Sequence, residues 1–183
     1  MEQTRGAIIK AFGQLLEEKP MNKITVKDIV ERCGINRNTF YYHFRDIPTL
    51  FEQMMEDRVE QLVQNHYQPS QPIECIRPML QYGVAHKNAV LHVYRAIPRE
   101  VFLSYINRMA QRFVEEYMTA ATSGRAIPAE NIAVTTHFFK CSIVGLLLDW
   151  LDAGMDYDAL SLSQQICALF GGSAKSALSR RTG

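Results

Sequence analysis

The run INRNTFYYHFR places Arg37, Asn38, Tyr41, Tyr42 and His43 within about two helical turns of one another. Every one of these side chains can donate a hydrogen bond. Arginine and asparagine have the geometry that reads base edges, whereas tyrosine hydroxyls and imidazoles suit phosphate oxygens. This chemistry is recognition of nucleic acid rather than bond making.

Such residues work only on a rigid support, and the flanking sequence supplies one. Thr25 followed by Asp28 is a helix-start signal, with a hydroxyl to cap the Asp28 amide and a carboxylate in the first turn. It predicts a helix over 26–32 with Val26, Ile29, Val30 and Cys33 on one face. Gly34 closes that helix, and Asn36 caps a second over 37–44. Phe40 and Phe44, four residues apart, turn inward with Ile35 and leave the donors outside. The result is a helix-turn-helix with its second helix shaped for a major groove.

The segment IKAFGQLLEEKPMNKITVKDIVERCGINRNTFYYHFRDIPTLF, most densely T-V-x-D-I-x-x-x-x-G-I-x-x-x-T-F-Y-Y-H-F, resembles the DNA-binding domain of the tetracycline-repressor (TetR/AcrR) family of bacterial transcription regulators. The likeness covers about the first third of the chain. It implies a double-stranded, palindromic DNA operator, met by Thr25, Asn36, Arg37, Asn38, Thr39, Tyr41, Tyr42, His43 and Arg45. Relatives often carry a phosphate-gripping lysine at the start of the fourth helix. Ile47 stands there in this chain, and Arg45 is the nearest substitute.

A first helix is predicted over 4–18 from the stripe Ala7, Ile8, Ala11, Phe12, Leu15 and Leu16, stopped by Pro20. Arg5 and Lys10 lie on its open side, where they can either touch phosphates or stay solvated. Asp46 caps a fourth helix over 47–66, with Pro48 in its first turn. A boundary follows at 67–72, then helices over 73–85, 88–96, 98–121, 128–153 and 158–178. The predicted chain is all-α: a DNA-binding module over residues 1–46, a connecting helix over 47–66, and a helical effector and dimerisation domain over 67–183.

The helix over 128–153 is apolar nearly all round its second half and so requires cover on more than one side. Family resemblance implies that it and the last helix pair with a second copy, through Leu147, Trp150, Leu151, Ile166, Leu169 and Phe170. A monomeric helical core would bury the same residues. The resemblance also implies a small-molecule effector pocket in the C-terminal part, for which Met54, Leu62, Tyr82, His86, Tyr94, Tyr105, Met109 and His137 are the candidates. Met79 and Phe113 belong to the same aromatic and methionine-rich set.

Composition narrows the function classes. With 47% apolar and 21% charged residues and a net charge of +1, the chain is globular. Bases outnumber acids over residues 1–45, the part expected to meet DNA. Cys33, Cys75, Cys141 and Cys167 form no C-x-x-C pair, so neither a zinc framework nor a disulfide framework is suggested. His137 and Cys141, four apart on one helix, supply only two ligands. Phosphate-loop, dinucleotide, nucleophile-elbow and zinc-protease motifs are absent, which argues against an enzyme and against a cofactor. No signal-peptide pattern opens the chain, and the apolar run at 143–148 is too short to cross a bilayer, so a cytoplasmic protein without a membrane partner is expected. A repressor released by its effector is the leading reading. The C-terminal part also resembles that of Firmicutes regulators related to the dihydroxyacetone-kinase activator, which implies activation as an alternative. A DNA-organising protein of the same fold without a ligand is another, and a small helical enzyme or metal-binding protein comes last.

Overall fold

A computed structural model describes the backbone of residues 2–65 and 72–179, and side chains over 3–61 and 76–170. Among the described residues the chain forms nine α-helices and one short 3-10 turn, with no strand. The helices are α1 (Glu2–Glu18), α2 (Val26–Cys33), α3 (Arg37–His43), α4 (Ile47–Asn65), α5 (Pro72–Ala85), α6 (Lys87–Ala96), α7 (Arg99–Thr122), α8 (Ala129–Asp152) and α9 (Ala159–Ser179). The 3-10 turn, Met21–Lys23, follows Pro20, in a stretch that carries no helix signal of its own.

Contacts divide the chain into two compact units that do not follow chain order. The first comprises Met1–Arg58 and Ala85–Leu103, and the second Val59–Val84 and Ser104–Gly183. In the first unit, α1 buries Ile8, Ala11, Phe12, Leu15 and Leu16, while Ala7, predicted in the same stripe, is exposed at its edge. The stripe packs on α2, and α6 packs on α1 and on the 3-10 turn. Met21, Ile24, Ile29, Val30, Phe40, Phe44, Leu50, Phe51, Leu91, Val93 and Phe102 are buried with them.

Local chemistry sets the helix limits. Thr25 Oγ1 accepts from the Asp28 amide at 3.2 Å, and the Asp28 carboxylate accepts from the Thr25 amide at 2.8 Å, a reciprocal capping box. Gly34 ends α2 at φ 67°, in the left-handed region where a Cβ is unfavourable.

Two histidines of the first unit fasten α6 to the end of α1. His92 Nδ1 donates to the Leu16 carbonyl at 2.7 Å, and because a carbonyl only accepts, that nitrogen carries the hydrogen. His86 Nδ1 meets Glu17 Oε1 at 2.6 Å.

The second unit buries Leu80, Ile106, Ala110, Val114, Met118, Val144, Trp150, Leu151 and Met155. Its α8 packs on α9. Trp150 is held by its indole N–H, which donates to the Tyr157 carbonyl at 3.0 Å, and its ring packs against Gly83, where a Cβ would lie 3.4 Å away in ordinary contact.

Candidate nucleic-acid interface

Recognition needs a helix whose outward side chains are held at a fixed angle, and α3 is anchored for that from below. Phe40 and Phe44 are fully buried. Asn36 Oδ1 accepts from the Thr39 amide at 2.8 Å and from the Thr39 hydroxyl at 3.0 Å, closing the first turn. The opposite face presents Arg37, Asn38, Tyr41 and Tyr42 to solvent, with Tyr42 71% exposed. His43 is half-buried, its ring edge-on to Tyr42 with centroids 5.2 Å apart. Arg45 is exposed just beyond, donating from Nε to Asp46 at 3.0 Å. Asp46 also caps α4 by accepting from the Thr49 amide, and those Thr49 bonds, with Arg45 behind them, hold its carboxyl below the usual range.

Of the other residues expected at DNA, Thr25, Asn36 and Thr39 have side-chain oxygens engaged in the caps of α2 and α3. Their structural part is to fix where the two helices begin. Arg5, which the sequence leaves open to phosphates or solvent, forms a two-pronged pair with Asp57 of α4, at 2.6 and 3.0 Å, and its guanidinium lies 5.8 Å from the centroid of the Phe44 ring. A planar guanidinium suits such a double contact with a carboxylate and an aromatic face. Lys10 is exposed.

Beneath the interface, Lys19 pairs with Asp28 at 2.9 Å. That hydrogen bond, followed by those from Thr25, draws the Asp28 carboxyl down to about 2. Arg32 pairs with Glu18, joining α2 to α1. Partial burial pushes the thiol of half-buried Cys33 up, which lowers its reactivity.

Within the second unit lies a cavity of about 40 Å³ with wholly apolar walls, lined by Val59, Ile76, Met79, Ile106, Met109, Ala110, Phe113, Ile143 and Leu147. Met109 alone comes from the predicted pocket set, with Met79 and Phe113 from the wider group. Of the others, those described lie elsewhere than in this cavity's lining. His86 is on Glu17, and Tyr94 is packed edge-on to Phe102 at 4.9 Å and accepts from Arg99, so both belong to the first unit. Met54 also lies in the first unit. Tyr82 and His137 are exposed, and Tyr105 lies under the Arg108 guanidinium. The side chain of Leu62 lies outside the described residues. The aliphatic lining was invisible in sequence because Ile, Val and Ala at helical spacing read the same in any core.

On α8, Val134 and Phe138 are 64% and 61% exposed, and Cys141 and Gly145 continue their stripe at alternating steps of three and four residues. Leu162, Leu169 and Phe170 are exposed on α9. Trp150 and Leu151, predicted to meet a second copy, are buried within this chain, and Leu147 lines the cavity. Ile166 is half-buried, and Leu169 and Phe170 remain on the surface. The apolar run at 143–148 is part of a 24-residue helix that is long and apolar enough to cross a membrane by length and composition, yet only 6% of its apolar window is buried within the chain.

Residues 8–54 match the family described as bacterial regulatory proteins of the tetR family, and residues 70–172 match the one described as transcriptional regulator C-terminal region. Over 160 residues the chain is 28% identical to an uncharacterized HTH-type transcriptional regulator, YxbF, of Bacillus subtilis, covering 83% of this chain and 40% of that relative. Over 57 residues it is 33% identical to an uncharacterized HTH-type transcriptional regulator of Haemophilus influenzae, covering 31% of this chain and 28% of the relative. The matched regions thus span less than half the length of these relatives. Among solved structures, the fold is similar to the dihydroxyacetone kinase operon activator DhaS, with a TM-score of 0.78 at 17% identity over 96% of this chain and 98% of that one. It is also similar to NalD, the secondary repressor of the MexAB-OprM multidrug efflux pump in Pseudomonas aeruginosa, with a TM-score of 0.62 at 19% identity over 99% of both chains.

Proposed function

The chain belongs to the TetR family of bacterial transcription regulators, and on that premise we propose that it is a cytoplasmic, homodimeric repressor that reads a palindromic operator through α3. The observation that carries this reading is the exposed set Arg37, Asn38, Tyr41 and Tyr42 standing on the buried pair Phe40 and Phe44. Arg37 and Asn38 read base edges. Tyr42, His43 and Arg45 hold phosphates and fix the register.

The second copy is recruited by the exposed stripes of α8 and α9. Apolar area on this scale is stabilised by cover, at roughly 25 cal/mol for each Å² removed from water. A symmetric dimer supplies that cover and sets two recognition helices at the spacing of two half-sites.

The effector of this reading is a small apolar molecule. A cavity of about 40 Å³ without a polar wall offers room but no hydrogen bond, so affinity must come from packing as the cavity widens. The direction of control is tested together with the operator. DNA fragments retained by the protein are sequenced, and the shared site is placed ahead of a reporter. Expression should rise when the regulator is deleted. A fall would show activation, and retention of fragments with no shared sequence would show an unspecific DNA-organising protein.

A further inference from the structure

We propose that His137 and Cys141 form one half of a zinc site that a second copy of the chain completes. This inference rests on the homodimer reading above. The two residues are four apart on α8, both are exposed, and Cys141 Sγ lies 3.7 Å from His137 Nε2. Zinc bonds of about 2.3 Å to sulfur and about 2.0–2.1 Å to nitrogen, at a tetrahedral angle, put sulfur and nitrogen about 3.6 Å apart. The pair is therefore already spaced to share one ion. Among the described residues no cluster of three or more His, Cys, Asp or Glu side chains could hold a metal, so a single chain presents only half of a four-coordinate site.

The position of the pair supplies the missing half. Cys141 belongs to the outward stripe Val134, Phe138, Cys141 and Gly145, and His137 is on the adjoining flank, so both lie near the middle of the surface that needs cover. In a two-fold interface, residues nearest the axis meet their own counterparts. A stripe buried symmetrically about its midpoint thus brings two thiols and two imidazoles together. Gly145, exposed on the same stripe, has open space around it on this chain.

The charges also balance. Binding one Zn²⁺ displaces the two thiol protons to solvent, leaving two thiolates and two neutral imidazoles around a dication, a centre with no net charge. Such a centre can be enclosed by apolar side chains without burying an unpaired ion. Thiolate and imidazole in tetrahedral array select zinc over the oxygen-seeking Mg²⁺ and Ca²⁺. Because metal held across the axis binds only the dimer, zinc would stabilise that state by mass action.

The test titrates cobalt(II), which adopts the geometry of zinc and reports thiolate ligands through its absorption, into the reduced full-length protein while sedimentation records its assembly. Saturation at one ion per two chains with a thiolate-to-cobalt band, displacement by zinc, and loss of uptake in dimeric C141S and H137Q would support the site. A dimer that takes up no cobalt, that saturates at one ion per chain, or whose C141S variant titrates like the parent overturns the site and leaves the dimer standing. A reversible Cys141 disulfide, with no uptake once reduced, overturns it equally. A chain that stays monomeric at every metal concentration overturns the dimer reading and the site with it.

Discussion

Arg37 and Tyr42 differ in what their loss should do. Arg37→Ala removes a base reader and is expected to cost about 1–3 kcal/mol on the operator while broadening its sequence preference. Tyr42→Phe removes a phosphate hydrogen bond and should weaken operator and unrelated DNA alike. Fluorescence anisotropy against both duplexes separates the two, and equal losses for Arg37→Ala would reject its role in base reading. Asp28 sets a second expectation. Its folded carboxyl titrates at about 2, below its ordinary value, so the stability it confers is complete above roughly pH 4 and lost as the pH falls toward 2. In Asp28→Asn the acid-unfolding limb, followed by circular dichroism, should be shallower across that window. An unchanged slope would show that the capping box carries no acid sensitivity. At this scale the outward placement of Arg37, Asn38, Tyr41 and Tyr42 was legible because helical spacing sets them opposite Phe40 and Phe44. Arg5 was not, because its partner Asp57 is 52 residues away and nothing local marks the pairing.

Helix limits were legible for a related reason. Caps are short-range, so Thr25, Gly34 and Asn36 mark boundaries that the backbone follows. Packing between distant elements is not written locally, so the contacts of His86 with Glu17 and of Tyr94 with Phe102 and Arg99 could not be read from the sequence. His92→Ala should show what that attachment is worth. Removing the donor to the Leu16 carbonyl is expected to cost about 0.5–1.5 kcal/mol. Amide exchange should quicken at the C-terminal end of α1 and leave α9 unaffected. Equal quickening throughout would mean that the fastening of α6 to α1 is not a local one.

For the whole molecule, cover of the α8 stripe is the governing expectation. Phe138→Asp places a charge on the surface assigned to the second copy and should give a folded monomer at micromolar concentration by sedimentation, with operator affinity falling because half-sites about 34–36 Å apart must then be bound singly. A Phe138→Asp protein that remains dimeric would move the interface off this stripe. The C-terminal fold was legible as a set of helices, but the sequence could not apportion its apolar residues. Trp150 and Leu169 are equally apolar on paper, and only the packed chain shows the first enclosed and the second 75% exposed.

The split make-up of the first unit also has a consequence for biosynthesis. The nascent chain delivers α1, α2 and α3 early, but α6, which packs on α1, lies in the second segment of that unit, Ala85–Leu103. At about 5–20 residues per second, the ribosome needs roughly 2–9 s to go from Arg58 to Leu103. Throughout that interval the surface of α1 that receives α6 is uncovered and available to chaperones. A fragment ending at Arg58 should therefore melt without a cooperative transition, whereas one ending at Leu103 should show one, and cooperative melting of the shorter piece would mean that the DNA reader matures before α6 is made.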